Sequence, residues 1–357
     1  LILIYADELG CQHYFRELTV PYGFTTSLEE LKKFTGFKIA ISNNRFDANG
    51  HYSNIIPIIT ELCNISNLVF VVETEFHYDI IEASSKFPKN LHVALPGYTT
   101  EFSPQFNNFF KPSWLTAVKK LYQHLPDVVS KFDPYVAKPK FFDALFGVNK
   151  PHRKFVYDRL VHHGLIDKNI VIFNPDYTVN NNNYRITDKN FIWEPGVEPS
   201  SDLYFTNAHV CYHGLTTTLS QIIPVEVYNN TAYTIVTETN TSNFFSFFTE
   251  KIAKPIVGRR LFVVVSGYKY LRNLRKIGFK TFDGIIDESY DLIVDPVERF
   301  TEAFEQIKRL CERDQQEVLD QIKPIVDHNY NLLMNHDLEK EWLEYLTQVI
   351  EKEYGNY

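Results

Sequence analysis

Three segments carry residue types and spacings suited to gripping phosphate. Residues 232–239 read Ala-Tyr-Thr-Ile-Val-Thr-Glu-Thr, residues 247–256 read Phe-Phe-Thr-Glu-Lys-Ile-Ala-Lys-Pro-Ile, and residues 258–267 read Gly-Arg-Arg-Leu-Phe-Val-Val-Val-Ser-Gly. The first is a strand pattern ending at Glu238. A helix pattern then starts near Thr249, with Glu250 and Lys251 in its first turn, and the strand Leu261–Val265 ends at Ser266-Gly267. A helix start offers unpaired N–H groups and a partial positive charge to an anion. Lys251 can neutralise a diphosphate, and Glu250 can accept hydrogen bonds from ribose hydroxyls. The charge map agrees. Residues 250–280 hold nine Lys and Arg against Glu250 alone, or +8; the chain totals −8, which leaves −16 elsewhere. The basic group at 269–280 also reads as a solvated helix face.

These segments need a scaffold that places strand ends side by side. Apolar runs at residues 1–6, 37–42, 68–72 and 91–95 alternate with helical patterns at 27–34 and 55–63. Parallel strands require such crossovers, and parallel sheets bind ligands beyond their carboxyl ends. Residues 104–140, punctuated by Pro104, Pro112, Pro126, Pro134 and Pro139, read as a connector. A second series follows, with strands at 141–146, 170–173, 232–236 and 261–265 and a helix over 151–164 that has Pro near its start and Gly at its end. Residues 175–195, with the amide run Asn180–Asn183, read as loop. From Asp295-Pro296 onward the spacing is helical. The expectation is an α/β chain with an N-terminal lobe over 1–137, a C-terminal lobe over 138–330 and a terminal helix over 331–357.

Several classes are disfavoured. A net charge of −8 removes the general electrostatic case for nucleic acid or anionic membrane. The four cysteines form no CxxC pair, so a reducing, cytoplasmic setting is expected. No apolar run is long enough for a membrane span, and the first residues do not read as a signal peptide. The Gly-rich dinucleotide fingerprint and the P-loop are absent. His209, Cys211 and His213 alternate on an expected strand without a fourth ligand, and His162-His163 reads as a helix C-terminal cap. No Asp-x-Asp occurs, which agrees with a metal-independent site.

The paired segments Ile235-Val-Thr-Glu238 and Phe247-Phe-Thr-Glu-Lys251, with the strand ending in Gly267, resemble the donor site of GT-B glycosyltransferases. They are most similar to the α1,3-fucosyltransferase family, with its Phe-Glu-Asn…Tyr-x-Thr-Glu-Lys signature. Gly147-Val-Asn-Lys-Pro-His-Arg153-Lys-Phe-Val-Tyr157 resembles that family's Ser-Asn…Arg…Tyr segment. Residues 270–291 are similar to uncharacterised glycosyltransferases of large tailed phages and other viruses. The family has Tyr where this chain has Phe247, and Asn where it has Thr239.

The resemblance implies two Rossmann-like lobes facing a central crevice, with C-terminal helices. It implies that Arg153 and Lys251 hold the nucleotide diphosphate and Glu250 the ribose. Glu238 would lie near the sugar or phosphate, with Phe247, Thr249 and Gly267 completing the donor site. The co-substrate would be a nucleotide-sugar such as a UDP- or GDP-sugar, with no cofactor and no metal. The acceptor would be a hydroxyl of a glycan or of a hydroxymethylated DNA base, in the host cytoplasm if the chain is phage-encoded. The N-terminal lobe should then supply the base. Asp7, Glu8 and Asp47 follow the first two strands, and His51, Glu73, Glu75 and His77 are further candidates; carboxylates after strands also cap helices. The competing expectation is a catalytically idle nucleotide-sugar binder, or a structural α/β protein whose basic segment docks a partner.

Overall fold

The computed structural model describes residues 2–6, 21–44, 68–74, 91–103, 107–147, 150–173, 191–193 and 209–355. Asp7, Glu8, Asp47, His51, Glu75, His77, the amide run Asn180–Asn183 and the helix expected over 55–63 lie outside the described residues. The chain forms two compact units, Leu1–Pro112 with Asp337–Tyr357, and Ser113–His336.

The first unit contains β1 (Ile2–Ala6), β2 (Tyr22–Thr25), α1 (Leu28–Lys33), β3 (Phe37–Asn44), β4 (Leu68–Thr74), β5 (Leu91–Leu95), the short β6 (Gly97–Thr99) and β7 (Asn107–Phe110). Six strands form one parallel sheet in the order β2-β1-β3-β4-β5-β7. The chain steps from β1 outward to β2, then returns past β1 to β3. The order therefore reverses between β1 and β3, whose carboxyl ends precede Asp7 and Asp47. Two strands depart from expectation. Tyr-Gly-Phe-Thr (β2) has no apolar run to announce it, and β7 is an edge strand inside the expected connector.

The second unit runs α2 (Ser113–Gln123), α3 (Pro126–Val129), β8 (Lys140–Phe146), α4 (Pro151–His162), β9 (Ile170–Phe173), β10 (Phe191–Trp193), β11 (His209–Tyr212), β12 (Leu215–Thr218), α5 (Val225–Asn230), β13 (Thr231–Thr237), β14 (Phe245–Phe247), α6 (Glu250–Val257), β15 (Leu261–Val265), α7 (Tyr270–Lys276), α8 (Pro296–Leu310) and α9 (Gln315–Asn335). The last helix, α10 (Leu338–Gly355), belongs to the first unit. No helix among the described residues is long and apolar enough to cross a membrane.

The main sheet of this unit is parallel, in the order β15-β13-β8-β9. Every residue of β13 and β15 is buried, as expected for strands covered on both faces. From β8 the chain goes through α4 to β9 on one side; from β13 it goes through α6 to β15 on the other. Right-handed crossovers running in opposite directions place their helices on opposite faces. Accordingly α4 packs with α8, whereas α6 packs with α2 and α9. The reversal leaves a gap between the carboxyl ends of β8 and β13, the position where doubly wound sheets bind ligands.

Local signals explain the boundaries. Pro151 and Pro296 begin α4 and α8, and Asp295 and Asp314 cap α8 and α9 by accepting from Glu298 N and Glu317 N, both at 2.8 Å. Helix α4 stops at Gly164, whose φ of 63° lets Leu165 N reach Leu160 O at 2.9 Å and its own N reach Val161 O at 3.1 Å.

One loop expectation and one strand expectation need correction. Phe191–Trp193, expected as loop, pairs antiparallel with β11, because its three apolar side chains suit a short strand. His213 does not continue the strand alternation with His209 and Cys211. It and Gly214 have positive φ (50° and 81°) and form the two-residue turn joining β11 to β12.

Candidate functional site

The site is built at the carboxyl ends of β8 and β13, from the first turns of α4 and α6. Strand β13 runs out into Glu238 and Thr239. Three side chains at the start of α4 reach across to that segment and hold three successive carbonyls. Arg153 Nη2 donates to Thr237 O at 3.5 Å, His152 Nε2 to Glu238 O at 2.8 Å, and Lys150 Nζ to Thr239 O at 2.8 Å. His152 meets a carbonyl, so its Nε2 carries the proton. Burial, with Arg153 beside it, holds the ring neutral down to about 3.

Glu238 is fully buried and is used by the fold. One carboxylate oxygen accepts from Thr249 N (3.1 Å) and Tyr270 Oη (2.7 Å); the other accepts from Thr249 Oγ1 (2.6 Å) and Thr239 N (3.2 Å). Two carboxylate oxygens offer about four lone-pair sites, and four donors occupy them. Burial pushes this carboxyl up, against the pull of Lys251 and the hydrogen bonds from Thr249 and Tyr270. Thr249 caps α6 in turn, its hydroxyl accepting from Lys251 N at 3.2 Å. The strand end thus fixes where the helix begins.

Lys251 projects from that first turn. Its ammonium donates to Glu250 Oε1 at 2.5 Å and to Thr239 Oγ1 at 3.2 Å, and its side chain keeps 24% of its surface exposed. Burial would raise the Glu250 carboxyl, but Lys251 and Lys254 together bring it below its ordinary value, so it is held as a carboxylate. Burial lowers Lys254. Lys150 is lowered to about 8, first by burial and then by Arg153 and Lys251. Four cations, Lys150, Arg153, Lys251 and Lys254, therefore surround two carboxylates, Glu238 and Glu250. Of the four, Arg153 is buried and Lys150, Lys251 and Lys254 are half-buried.

Arg153, Glu238, Thr249, Glu250 and Lys251, selected from the sequence, come together here. Gly267 lies at the end of β15, where a Cβ would come within 2.1 Å of Ser242 O. Its need is close backbone approach, and Ser266 Oγ beside it donates to Asn240 O at 3.0 Å. Two of the expected donor residues are used by the fold. Phe247 is a core residue, with no exposed surface and its ring 5.9 Å from Phe245, so it offers no face to a ligand. Glu238 braces the start of α6 and has no acceptor site left for a sugar. Asp7, Glu8 and Asp47 lie outside the described residues, and the described part of Glu73 is its place at the end of β4.

Lys150, His152 and Tyr270 were missed. The Lys-Pro step at a helix start was the available signal for Lys150. The basic segment 250–280 is not one patch. Arg260 is buried against Asp143 at 2.9 Å, Arg275 pairs with Glu288 at 2.7 Å, and Arg259 pairs with Asp327 at 3.3 Å. Among the described residues, no group of three or more His, Cys, Asp or Glu side chains is placed to hold a metal ion. No family model, no curated protein and no solved structure matches the chain.

Proposed function

We propose that the chain is a GT-B glycosyltransferase that moves a sugar from a nucleotide-sugar to a hydroxyl acceptor, with the donor diphosphate held at the carboxyl ends of β8 and β13. One observation carries the reading. At the reversal point of a parallel sheet, the ammonium groups of Lys150 and Lys251, from two different helix starts, converge on Thr239. Ammonium groups on a neutral residue, at two helix N-termini, suit an anionic ligand.

In the proposed reaction the acceptor oxygen attacks the anomeric carbon and forms the new C–O bond. The bond from that carbon to the phosphate oxygen breaks, and the nucleoside diphosphate leaves with the electron pair. Lys251 and Arg153 stabilise the charge that develops on it. Glu250, held ionised, accepts from the ribose hydroxyls. The hydroxyl proton passes to a base, for which the sequence offers Asp7, Glu8 and Asp47. Displacement in a single step inverts the anomeric centre.

The test is turnover. The protein is incubated with UDP-, GDP-, CMP- and dTDP-sugars, alone and with glycans or hydroxymethylated DNA, and released nucleotide and glycosylated product are measured. Product with one acceptor class is the expected result. Binding without any release of nucleotide would favour the idle binding module instead. A DNA acceptor further entails activity that falls steeply with salt.

A further inference from the structure

Lys150 faces the same anionic ligand but has no step in the reaction above, and its surroundings are unfavourable for a lysine. It sits immediately before α4 and is half-buried. Its hydrogen bond goes to a backbone carbonyl, Thr239 O, and among the described residues it makes no ion pair. The charged and titratable groups around it are Arg153 and His152 on α4, Lys251 on α6 and Glu238 at the end of β13. Glu238 gives its lone pairs to Thr249, Tyr270 and Thr239. A partly buried ammonium beside two other cations, with no ion-pair partner among the described residues, is costly to keep charged. An anion bound against Lys150 and Lys251 would remove that cost.

We propose that Lys150 is a further phosphate-binding group of this site and that it makes binding proton-coupled, with the diphosphate gripped fully only while the Lys150 ammonium is protonated. The inference rests on the donor-site reading given above. An ammonium has three N–H donors, so Lys150 can contact a phosphate oxygen without leaving the Thr239 carbonyl. Burial, and then Arg153 and Lys251, lower it to about 8 in the free protein, and a dianion beside it favours the charged form. Binding above that pH therefore takes up a proton.

The experiment is calorimetric titration of UDP-, GDP- and dTDP-sugars, whose diphosphate diester does not titrate in this range, at pH 7 and pH 9.5. It uses the wild-type chain, Lys150→Arg and Lys150→Met, each checked for folding by circular dichroism. Wild-type affinity should fall about tenfold or more between the two pH values, since a lost charge-assisted contact has that effect. Lys150→Arg should hold its affinity, because a guanidinium stays charged throughout. Lys150→Met should bind about tenfold more weakly than wild type at pH 7 and show no alkaline loss. An alkaline loss that persists in Lys150→Arg, or wild-type affinity in Lys150→Met at pH 7, overturns the role of Lys150 and leaves the donor-site reading standing. No binding of any of the three sugars to the wild type at either pH overturns both.

Discussion

The two edges of the second unit's parallel sheet use the same residue types for opposite ends. Near the amino ends of β13 and β15, Arg260 is buried against Asp143 at 2.9 Å and stacks on Tyr228 at 4.2 Å. It also donates to Thr234 Oγ1, Thr231 Oγ1 and the carbonyls of Tyr228, Thr231 and Tyr233. Every direction of the guanidinium meets an acceptor. At the carboxyl ends the buried carboxylate Glu238 is equally saturated, but the cations are less so: among the described residues Lys150 donates to the Thr239 carbonyl alone, and Lys251 to the Thr239 hydroxyl and to Glu250. A closed network specifies packing. An open one, left positive at the reversal point of the sheet, is suited to a ligand.

That contrast can be broken at several points. The largest effect belongs to the closed edge. Arg260→Met leaves Asp143 buried without its partner, which should cost about 3–5 kcal/mol in urea unfolding. A cost under about 1 kcal/mol would show that the network is not closed. Next is His152, which ties α4 to the end of β13. Its ring is held neutral to about 3, below the ordinary His value, so the unfolded chain binds more protons between the two. Its contribution is complete above about pH 6.5 and is lost as the pH falls toward 3. Between pH 6.5 and 5 the wild type should lose about 2 kcal/mol more than His152→Gln, at about 1.4 kcal/mol per pH unit. Parallel pH profiles would remove His152 from the scaffold of the site. The smallest effect is a control: Asp295→Ala deletes the cap of α8 and should cost about 1 kcal/mol while leaving nucleotide binding alone.

The strands and helix starts that frame the open edge were legible because their signals are local. Leu-Phe-Val-Val-Val at 261–265 and Thr-Glu-Lys at 249–251 announce a buried strand and a capped helix without reference to anything distant. The roles of individual side chains were less so. Glu238 is saturated in part by Tyr270, 32 residues on, and Lys150 meets Thr239 across 89 residues, because β8 and β13 are neighbours. Neither fact is contained in a spacing pattern. Phe247 was expected at the donor site, but β14 is buried at all three of its residues, which its own spacing does not announce.

The central claim is that the open edge grips a diphosphate through Lys251. It is tested most directly by calorimetric titration of UDP- and GDP-sugars into the wild type and Lys251→Ala at pH 7. One donor should bind the wild type, and the variant should bind it about tenfold or more weakly, the effect of losing about 1.5–3 kcal/mol of charge-assisted contact. Equal affinity in the two proteins would contradict the claim.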